Sequence, residues 1–244
     1  MTRPAAAKLE QNLAAAGFLL LGGFAPDGTV AVPALAGGKQ ARSLLLIGST
    51  GPSIWPHLTA SPEYKNGHPD PLDRYTRRSL LDLAETSGYE PVFPFEGPPY
   101  YPFQQWAMKC GGFSQSPLGV LAHHTFGPWA GFRAAFLSAD PFDGPKPVTM
   151  DGPCPTCTDA PCLTICPVGA VTTHEGYKVT DCRNHLATSR DLDCWSGCLA
   201  RQACPFGQEH RQSQATAGFH MESFVGAVGT AKIRLGSKPA LGTQ

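Results

Sequence analysis

Apolar residues in the first ninety positions fall into short, separate runs, and their spacing predicts a mixed set of elements. Residues 4–16 carry Ala and Leu at helix-favouring density, with Gly17 as the stop. FLLLGGF (18–24) and SLLLIGS (43–49) are continuous apolar runs of strand length joined by a glycine-rich connection, so both read as short buried strands. In HPDPLDRYTRRSLLDLAETSGYE the apolar positions return with helical period. Pro71 suits a first turn, Tyr75, Leu80, Leu83 and Ala84 share one broad face, and Gly88 ends the helix.

From Pro91 to Phe103 the chain is dense in proline and aromatic residues, a pattern that excludes a central strand and predicts an ordered loop. SPLGVLAHHTFGPWAGFRAAFLSA has strand and aromatic character with glycines at its turns, and DPFDGPKPVTMDGP reads as an interdomain linker. A cysteine-rich region follows, and a tail containing GFHMESFVGAVG closes the chain. The first 150 residues contain no internal repeat; the cysteine region holds the makings of a degenerate pair.

The 244 residues suffice for one ordinary domain plus a smaller one, or for a single large one, and 42% hydrophobic content is enough for a core. With 16% charged residues, a net charge of zero and no basic stripe, nucleic-acid binding is not expected. Twenty-seven glycines and 24 prolines indicate a loop-rich architecture. The apolar run near the start is too short to span a membrane and follows Lys8 and Glu10, so it reads as a helix feeding a strand in a cytoplasmic protein.

Eight of the nine cysteines lie between residues 154 and 204. In a cytoplasmic chain such clustering argues for metal binding over disulfides, because the compartment keeps thiols reduced. The groups are Cys154-x2-Cys157-x4-Cys162-x3-Cys166-Pro167 and Cys194-x3-Cys198-x5-Cys204-Pro205, with Cys182 alone between them. A bacterial ferredoxin run has two fewer residues before its third cysteine, and its Cys-Pro thiolate ligates the other cluster. Applied here, that arrangement gives one 4Fe–4S cluster Cys154, Cys157, Cys162 and Cys204, and a second cluster Cys166, Cys182, Cys194 and Cys198. Two zinc sites of four thiolates would also use all eight, although zinc sites usually pair C-x2-C with another compact pair. Cys110 lies outside both groups and reads as a small hydrophobe.

CPTCTDAPCLTICPVGAV, DCRNHLATS and DCWSGCLARQACPFG together resemble the C-terminal two-cluster domain of epoxyqueuosine reductases, and corrinoid reductive dehalogenases are similar in plan. In both, the clusters feed a cobalamin held by the preceding domain. HPDPLDRYTRRSLLDLAE and SPLGVLAHHTFGPWAGFRAAFLSADPFDGP resemble in turn the cobalamin-processing (CblC-type) family, through Asp70-Pro71-Leu72-Asp73 and through Gly119, His123, Phe126, Gly127, Trp129 and Arg133. These resemblances imply an α+β protein: a nitroreductase-like (CblC-type) domain over 1–147, a ferredoxin-like two-cluster domain over 148–210, and a tail over 211–244. They imply an iron–sulfur oxidoreductase passing electrons from a low-potential ferredoxin or flavodoxin-like donor to cobalamin, for reduction or removal of the upper ligand. The alternatives are an electron carrier without corrinoid and a zinc-stabilised binding module; a flavin is also compatible with the implied fold.

Candidate cofactor-binding residues on this reading are Arg133, His123, Trp129, Gly127 and Tyr101. Tyr101 belongs to an aromatic loop, 91–106, that could wall a large flat ligand; the same residues could simply pack the loop onto the core. Arg133 could line a pocket or sit in a salt bridge at a strand end. Asp73 reads first as a helix-start carboxylate. His123 and His124 could reach a substrate or be ordinary core or surface histidines. The chain has no G-x-G-x-x-G after a strand, no P-loop, no H-E-x-x-H and no G-x-S-x-G, and GSTGPS is too short for a phosphate loop.

Overall fold

Leu9 and Leu13, one helical turn apart, are buried on the inner side of α1 (Ala6–Ala15), and Gly17, at φ +80°, turns the chain into β1 (Leu19–Phe24). The computed structural model describes residues 6–236, and side chains from residue 8 to residue 226. Every residue of β2 (Ser43–Ser49) is buried, as its unbroken apolar run requires of a central strand. Three further helices follow β2: α2 (Gly51–Ala60), α3 (Pro62–Lys65) and α4 (Pro71–Ser87). Next come the short strand β3 (Glu90–Val92) and α5 (Phe103–Cys110). A two-residue pair, β4 (Phe113–Ser114) with β5 (Ala122–His123), leads to β6 (Gly131–Ser138).

The main sheet is antiparallel, with order β1-β2-β6-β3. Alternation along β2 sends Leu45 and Ile47 to one face and Leu44 and Leu46 to the other. The first face packs against α1, α2 and α4 through Leu13, Ile54, Leu58 and Leu80, and the second against α5 through Phe103 and Trp106. The architecture is thus α+β, with helices on both faces of a small sheet.

In α4, Pro71 stands in the first turn, Tyr75, Leu80 and Ala84 are buried, and Gly88 closes the helix in the left-handed region. The segment after β2, which has no phosphate-loop function by sequence, is the start of a helix. Thr50 caps α2 with a reciprocal pair of bonds, its Oγ1 accepting from Ser53 N (3.4 Å) and Ser53 Oγ accepting from Thr50 N (2.9 Å). Its prolines at positions 52 and 56 hid this helix from pattern reading. The aromatic segment 91–106 is not one loop either. Pro91 sits in β3 at the sheet edge, where a strand tolerates a missing N–H, and Phe103–Trp106 open α5.

The stretch read as a linker runs along the first unit: Val148 N donates to Cys110 O (3.1 Å) and Gly112 N to Met150 O (3.0 Å). Beyond it come four one-turn 3-10 helices, Cys154–Thr156, Pro161–Leu163, Asp193–Ser196 and Gln208–His210, and two short helices, α6 (Val179–Leu186) and α7 (Leu199–Gln202). The segment read as a closing tail contains α8 (Gln214–Gly236) in its described part. This helix returns over the molecule, setting Phe219 against Trp55 of α2 (centroids 5.5 Å apart) and Phe224 against Tyr177 (6.4 Å). No helix among the described residues is long and apolar enough to cross a membrane.

Candidate functional site

Proline and glycine punctuate the cysteine segment, so it folds as single turns that bring thiols from distant positions together. Burial, followed by the charges of Cys154, Cys204 and Cys157, raises the pKa of Cys162; Cys204 is raised by burial and then by Cys154 and Cys157. Cys194 is raised by burial and then by Cys198, Cys182 and Cys166, and Cys182 by burial and then by Cys198 and Cys166. The eight thiols therefore group as Cys154, Cys157, Cys162 and Cys204 in one quartet, and Cys166, Cys182, Cys194 and Cys198 in the other. Each quartet takes its members from both cysteine groups. Among the described residues no three His, Cys, Asp or Glu side chains converge tightly enough for a single metal ion, and all nine cysteines are free thiols.

The cysteine segment meets the sheet unit along a seam of close backbone contacts. A Cβ on Gly127 (φ +53°) would lie 2.2 Å from Phe206 O, and one on Gly207 (φ +64°) 2.4 Å from the Phe126 carbonyl carbon. Trp129 Nε1 donates to Phe206 O (3.2 Å), while Arg201 donates twice to Pro128 O, from Nε (3.0 Å) and Nη2 (2.6 Å). Arg201 also lies over the Trp129 ring, 5.1 Å from its centroid. Its environment includes Cys198 of one quartet and Cys204 of the other, so a fixed positive charge stands between the two sets of thiols.

Beside this seam is a cavity of about 360 Å³. The start of α2 (Ser49, Thr50 and Gly51) forms one end, with Arg133 beside it. Apolar and aromatic walls come from Ile54, Leu118, Val120, Trp129, Phe224 and Met221, and the quartet side is formed by Tyr177, Cys198 and Arg201. Arg133 donates from Nε to Ser49 Oγ (2.9 Å), its only hydrogen bond among the described residues. Burial pulls its pKa down to about 10, against the opposing pull of Asp73, so it stays charged at neutral pH. His220 of α8 lines the same cavity, and burial with the charges of Arg133 and Arg201 lowers its pKa to about 4, leaving a neutral imidazole. Arg133 and His220 also border a second, outer cleft of about 380 Å³ that contains Asp70 and Asp73. Burial raises the Asp73 carboxyl, opposed by Arg133 and reinforced by Asp70, which has a left-handed φ of 54° at the start of α4.

Of the residues singled out by sequence, Arg133 and Trp129 line the cavity, whereas His123, Gly127 and Tyr101 do not. Gly127 belongs to the seam. Tyr101 stacks on Trp106 (5.9 Å), which is fully buried and donates to Ala31 O, while Tyr100 is 71% exposed. The aromatic segment packs on the core and walls no part of the cavity. Cys110 is buried, with its pKa pushed up to about 12, and its Cβ lies 3.0 Å from where a side chain on Gly22 would start.

His123 is 5% exposed and packs between Phe113 and Phe126. Its Nδ1 accepts from Thr125 N (3.1 Å) and Phe126 N (3.3 Å), so this ring ties the turn before the seam. Burial, with His124 and His210 nearby, lowers its pKa to about 4. As pH falls below the ordinary value of 6.5, the unfolded chain takes up a proton that folded His123 refuses until about 4. Stability present above 6.5 is therefore lost progressively through that window. Urea unfolding between pH 7 and 5 should show a steeper loss for wild type than for His123→Gln; equal slopes would refute this account.

Tyr177, Arg201, His220 and the start of α2 were not legible as site residues. Tyr177 follows a glycine, Arg201 sits in a four-residue helix, and His220 lies in a segment with no distinctive spacing. Arg201, between Cys198 and Cys204, carried the nearest thing to a signal, since a positive charge inside a thiolate group offsets their mutual repulsion.

No family model matches the chain, and no curated protein matches it. Among solved structures it is similar to a Caenorhabditis elegans B12-trafficking protein CblC, a homologue of human MMACHC, with 13% identity over 88% of this chain and 89% of that one and a TM-score of 0.48. It is also similar to an epoxyqueuosine reductase solved with a modified tRNA-Tyr stem loop (16% identity, 71% of this chain and 51% of that one, TM-score 0.42). The Bacillus subtilis epoxyqueuosine reductase is a third (15% identity, 71% and 50%, TM-score 0.43). The chain thus spans about half the length of these two reductases. Likeness of this degree says nothing of ligands, and the chemistry has to come from the chain's own residues.

Proposed function

We propose that this chain is an iron–sulfur oxidoreductase with two four-iron centres that delivers electrons to a ligand in the cavity beside Arg133. The observation that carries this reading is the pair of crossed thiol quartets, one of which opens onto the cavity through Cys198. Eight thiolates in two sets of four match two clusters of four cysteine ligands each, with no ligand left over. On this reading the quartet containing Cys198 is proximal to the acceptor and the quartet containing Cys154 is distal. A low-potential ferredoxin or flavodoxin-like donor would load the distal centre.

The acceptor we propose is a corrinoid. A large flat ligand calls for apolar and aromatic walls with small residues at close approach, and Trp129, Phe224, Leu118, Val120 and Gly131 supply them. A volume of about 360 Å³ holds one end of such a molecule and not the whole. Arg133 would hold an oxygen of that end with a charge-assisted hydrogen bond, next to the backbone N–H groups at the start of α2. Neutral His220 offers one ring nitrogen to accept a proton and the other to donate one, and the apolar walls limit water. Bound cobalt would supply the reductive chemistry, including loss of an upper ligand.

Anaerobic purification and reconstitution should yield iron, acid-labile sulfide and a visible charge-transfer spectrum, and hydroxocobalamin should bind saturably with a spectral shift. Zinc without iron or sulfide would end the cluster assignment. Iron without any corrinoid binding would leave an electron carrier. Arg133→Met should weaken hydroxocobalamin at least about tenfold in the same titration, since a hydrogen bond to a charged group contributes about 1.5–3 kcal/mol. Unchanged affinity would remove Arg133 from the binding site.

A further inference from the structure

His220 stands where the voids of the molecule meet, on a helix held from both sides. Phe219 packs on Trp55 and Tyr64 of the sheet unit, with centroids 5.5 and 6.3 Å away. On the cysteine side, Gln214 Nε2 donates to Ser196 Oγ (2.9 Å) and Arg190 Nη1 to Glu222 Oε1 (2.6 Å), and a Cβ on Gly197 would lie 2.9 Å from Ala217 Cβ. So anchored, α8 sets His220 in the shared wall of the inner cavity and the outer cleft. His220 and Arg133 are the only described residues that line both, and His220 alone of the two also lines a third void, of about 50 Å³, beside Cys198 and Arg201. Its ring makes no hydrogen bond to a described residue, and its one ring contact is edge-on to Phe219, 5.4 Å away. A partly buried imidazole without an orienting partner is unusual, and it leaves a nitrogen lone pair available to whatever fills the voids.

The surroundings decide what that lone pair can bind. Arg133 and Arg201 line the inner cavity, and among the described residues no Asp or Glu does. Two guanidinium charges repel a bare metal ion, and no three His, Cys, Asp or Glu side chains converge to hold one. A metal accepted here has to arrive with its equatorial ligands in place, lacking only an axial donor, and corrinoid cobalt is such a metal. A corrin ring outgrows the inner cavity, so a bound corrinoid extends past the shared wall into the outer cleft, and the ring centre, which carries the cobalt, comes to that wall. Of the two residues there, Arg133 has no lone pair to give, which leaves His220. We propose that His220 is the axial cobalt ligand of the bound corrinoid. The inference rests on the corrinoid reading above. One ring nitrogen gives its lone pair to the metal and the other keeps its N–H, so a coordinate bond forms with no proton or electron transferred. His220 then fixes the corrinoid against α8, and its donation weakens the bond to an upper ligand on the opposite face.

The test is electron paramagnetic resonance of the reconstituted full-length protein mixed with cob(II)inamide, a corrinoid that lacks the nucleotide base and so brings no axial nitrogen of its own. Mild reduction keeps the iron–sulfur centres oxidised and magnetically silent. The expected spectrum shows each cobalt line split by one nitrogen, with a pattern that changes when the protein carries histidine labelled with heavy nitrogen. His220→Gln should lose the splitting at unchanged iron content, and added imidazole should restore it. Cob(II)alamin with the labelled protein gives the same answer if cobinamide is not retained, because the label separates a histidine nitrogen from the corrinoid's own base. Corrinoid binding without a histidine nitrogen on cobalt, or with a splitting that survives in His220→Gln, would overturn the inference and leave the corrinoid reading intact. Binding of neither corrinoid would overturn both.

Discussion

Cys204→Ser is expected to cost the reconstituted protein about half of its iron, and the surviving centre should be the one nearer the cavity. Cys204 lies between Ala203 and Pro205, six residues beyond Cys198, yet its thiol neighbours are Cys154 and Cys157. Cys166 is the mirror case: it is four residues from Cys162, and its thiol neighbours include Cys182 and Cys194. Cys166→Ser should therefore spare the centre whose ligands surround it in sequence and remove the other. A serine hydroxyl has nearly the shape of the thiol, so the fold survives, but it is a poor iron ligand at neutral pH because it stays protonated. Iron and sulfide assays with magnetic resonance of each reduced variant decide the matter. Loss of the local centre in both variants would show that the two quartets are not crossed.

Gly127→Val should be strongly destabilising. Two effects add. A branched side chain at φ +53° meets the steric penalty of the left-handed region, about 1–2 kcal/mol. Its Cβ would also lie 2.2 Å from Phe206 O, and overpacking of a close contact costs typically about 1–3 kcal/mol. The backbone at Phe206 is not free to withdraw, because Trp129 Nε1 binds its carbonyl and Arg201 pins Pro128 next to Gly127. A loss of about 3 kcal/mol, or about 10 °C in Tm for a chain of this size, is expected in thermal unfolding. Gly28→Val is the control: Gly28 has φ +82° but nothing within 4 Å of its added Cβ, so it carries the strain without the clash. Equal losses in the two variants would mean that the seam is not close-packed. Because Trp129, Arg201 and Cys198 all meet at this seam, Gly127→Val should also weaken hydroxocobalamin binding.

Elements set by local physics were legible. The apolar runs 18–24 and 43–49 are strands because hydrophobic stretches of that length, bounded by glycine, have few other ways to bury their side chains. Helix α4 is readable at both ends, since Pro71 fits a first turn and Gly88 adopts the left-handed closure that other residues resist. Helix α2 was not legible, because Pro52, Pro56 and the neighbouring glycine lower its propensity while the cap at Thr50 and the burial of Ile54 and Leu58 stabilise it. Edge strand β3 and helix α5 were hidden for a related reason: Pro91 is tolerated only because one side of β3 is unpaired, a fact of sheet order rather than of local pattern.

The same division runs through the site. Cysteine count, spacing and the two Cys-Pro steps express a capacity for two thiolate-bound centres, and they do so because ligand spacing is itself a local constraint. Which thiols gather, which quartet faces the cavity and which side chains complete it depend on contacts between residues far apart in the chain. Arg133 meets Ser49 across 84 positions, Trp129 meets Phe206 across 77, and His220 arrives from a helix with no marked pattern. Sequence by itself determined the strands, the main helix and the thiol inventory, each a matter of short-range sterics and burial. The tertiary structure alone decided the cavity, its two arginines and neutral histidine, and the place of Tyr177 between cavity and thiols, because close packing is a long-range property that local periodicity does not encode.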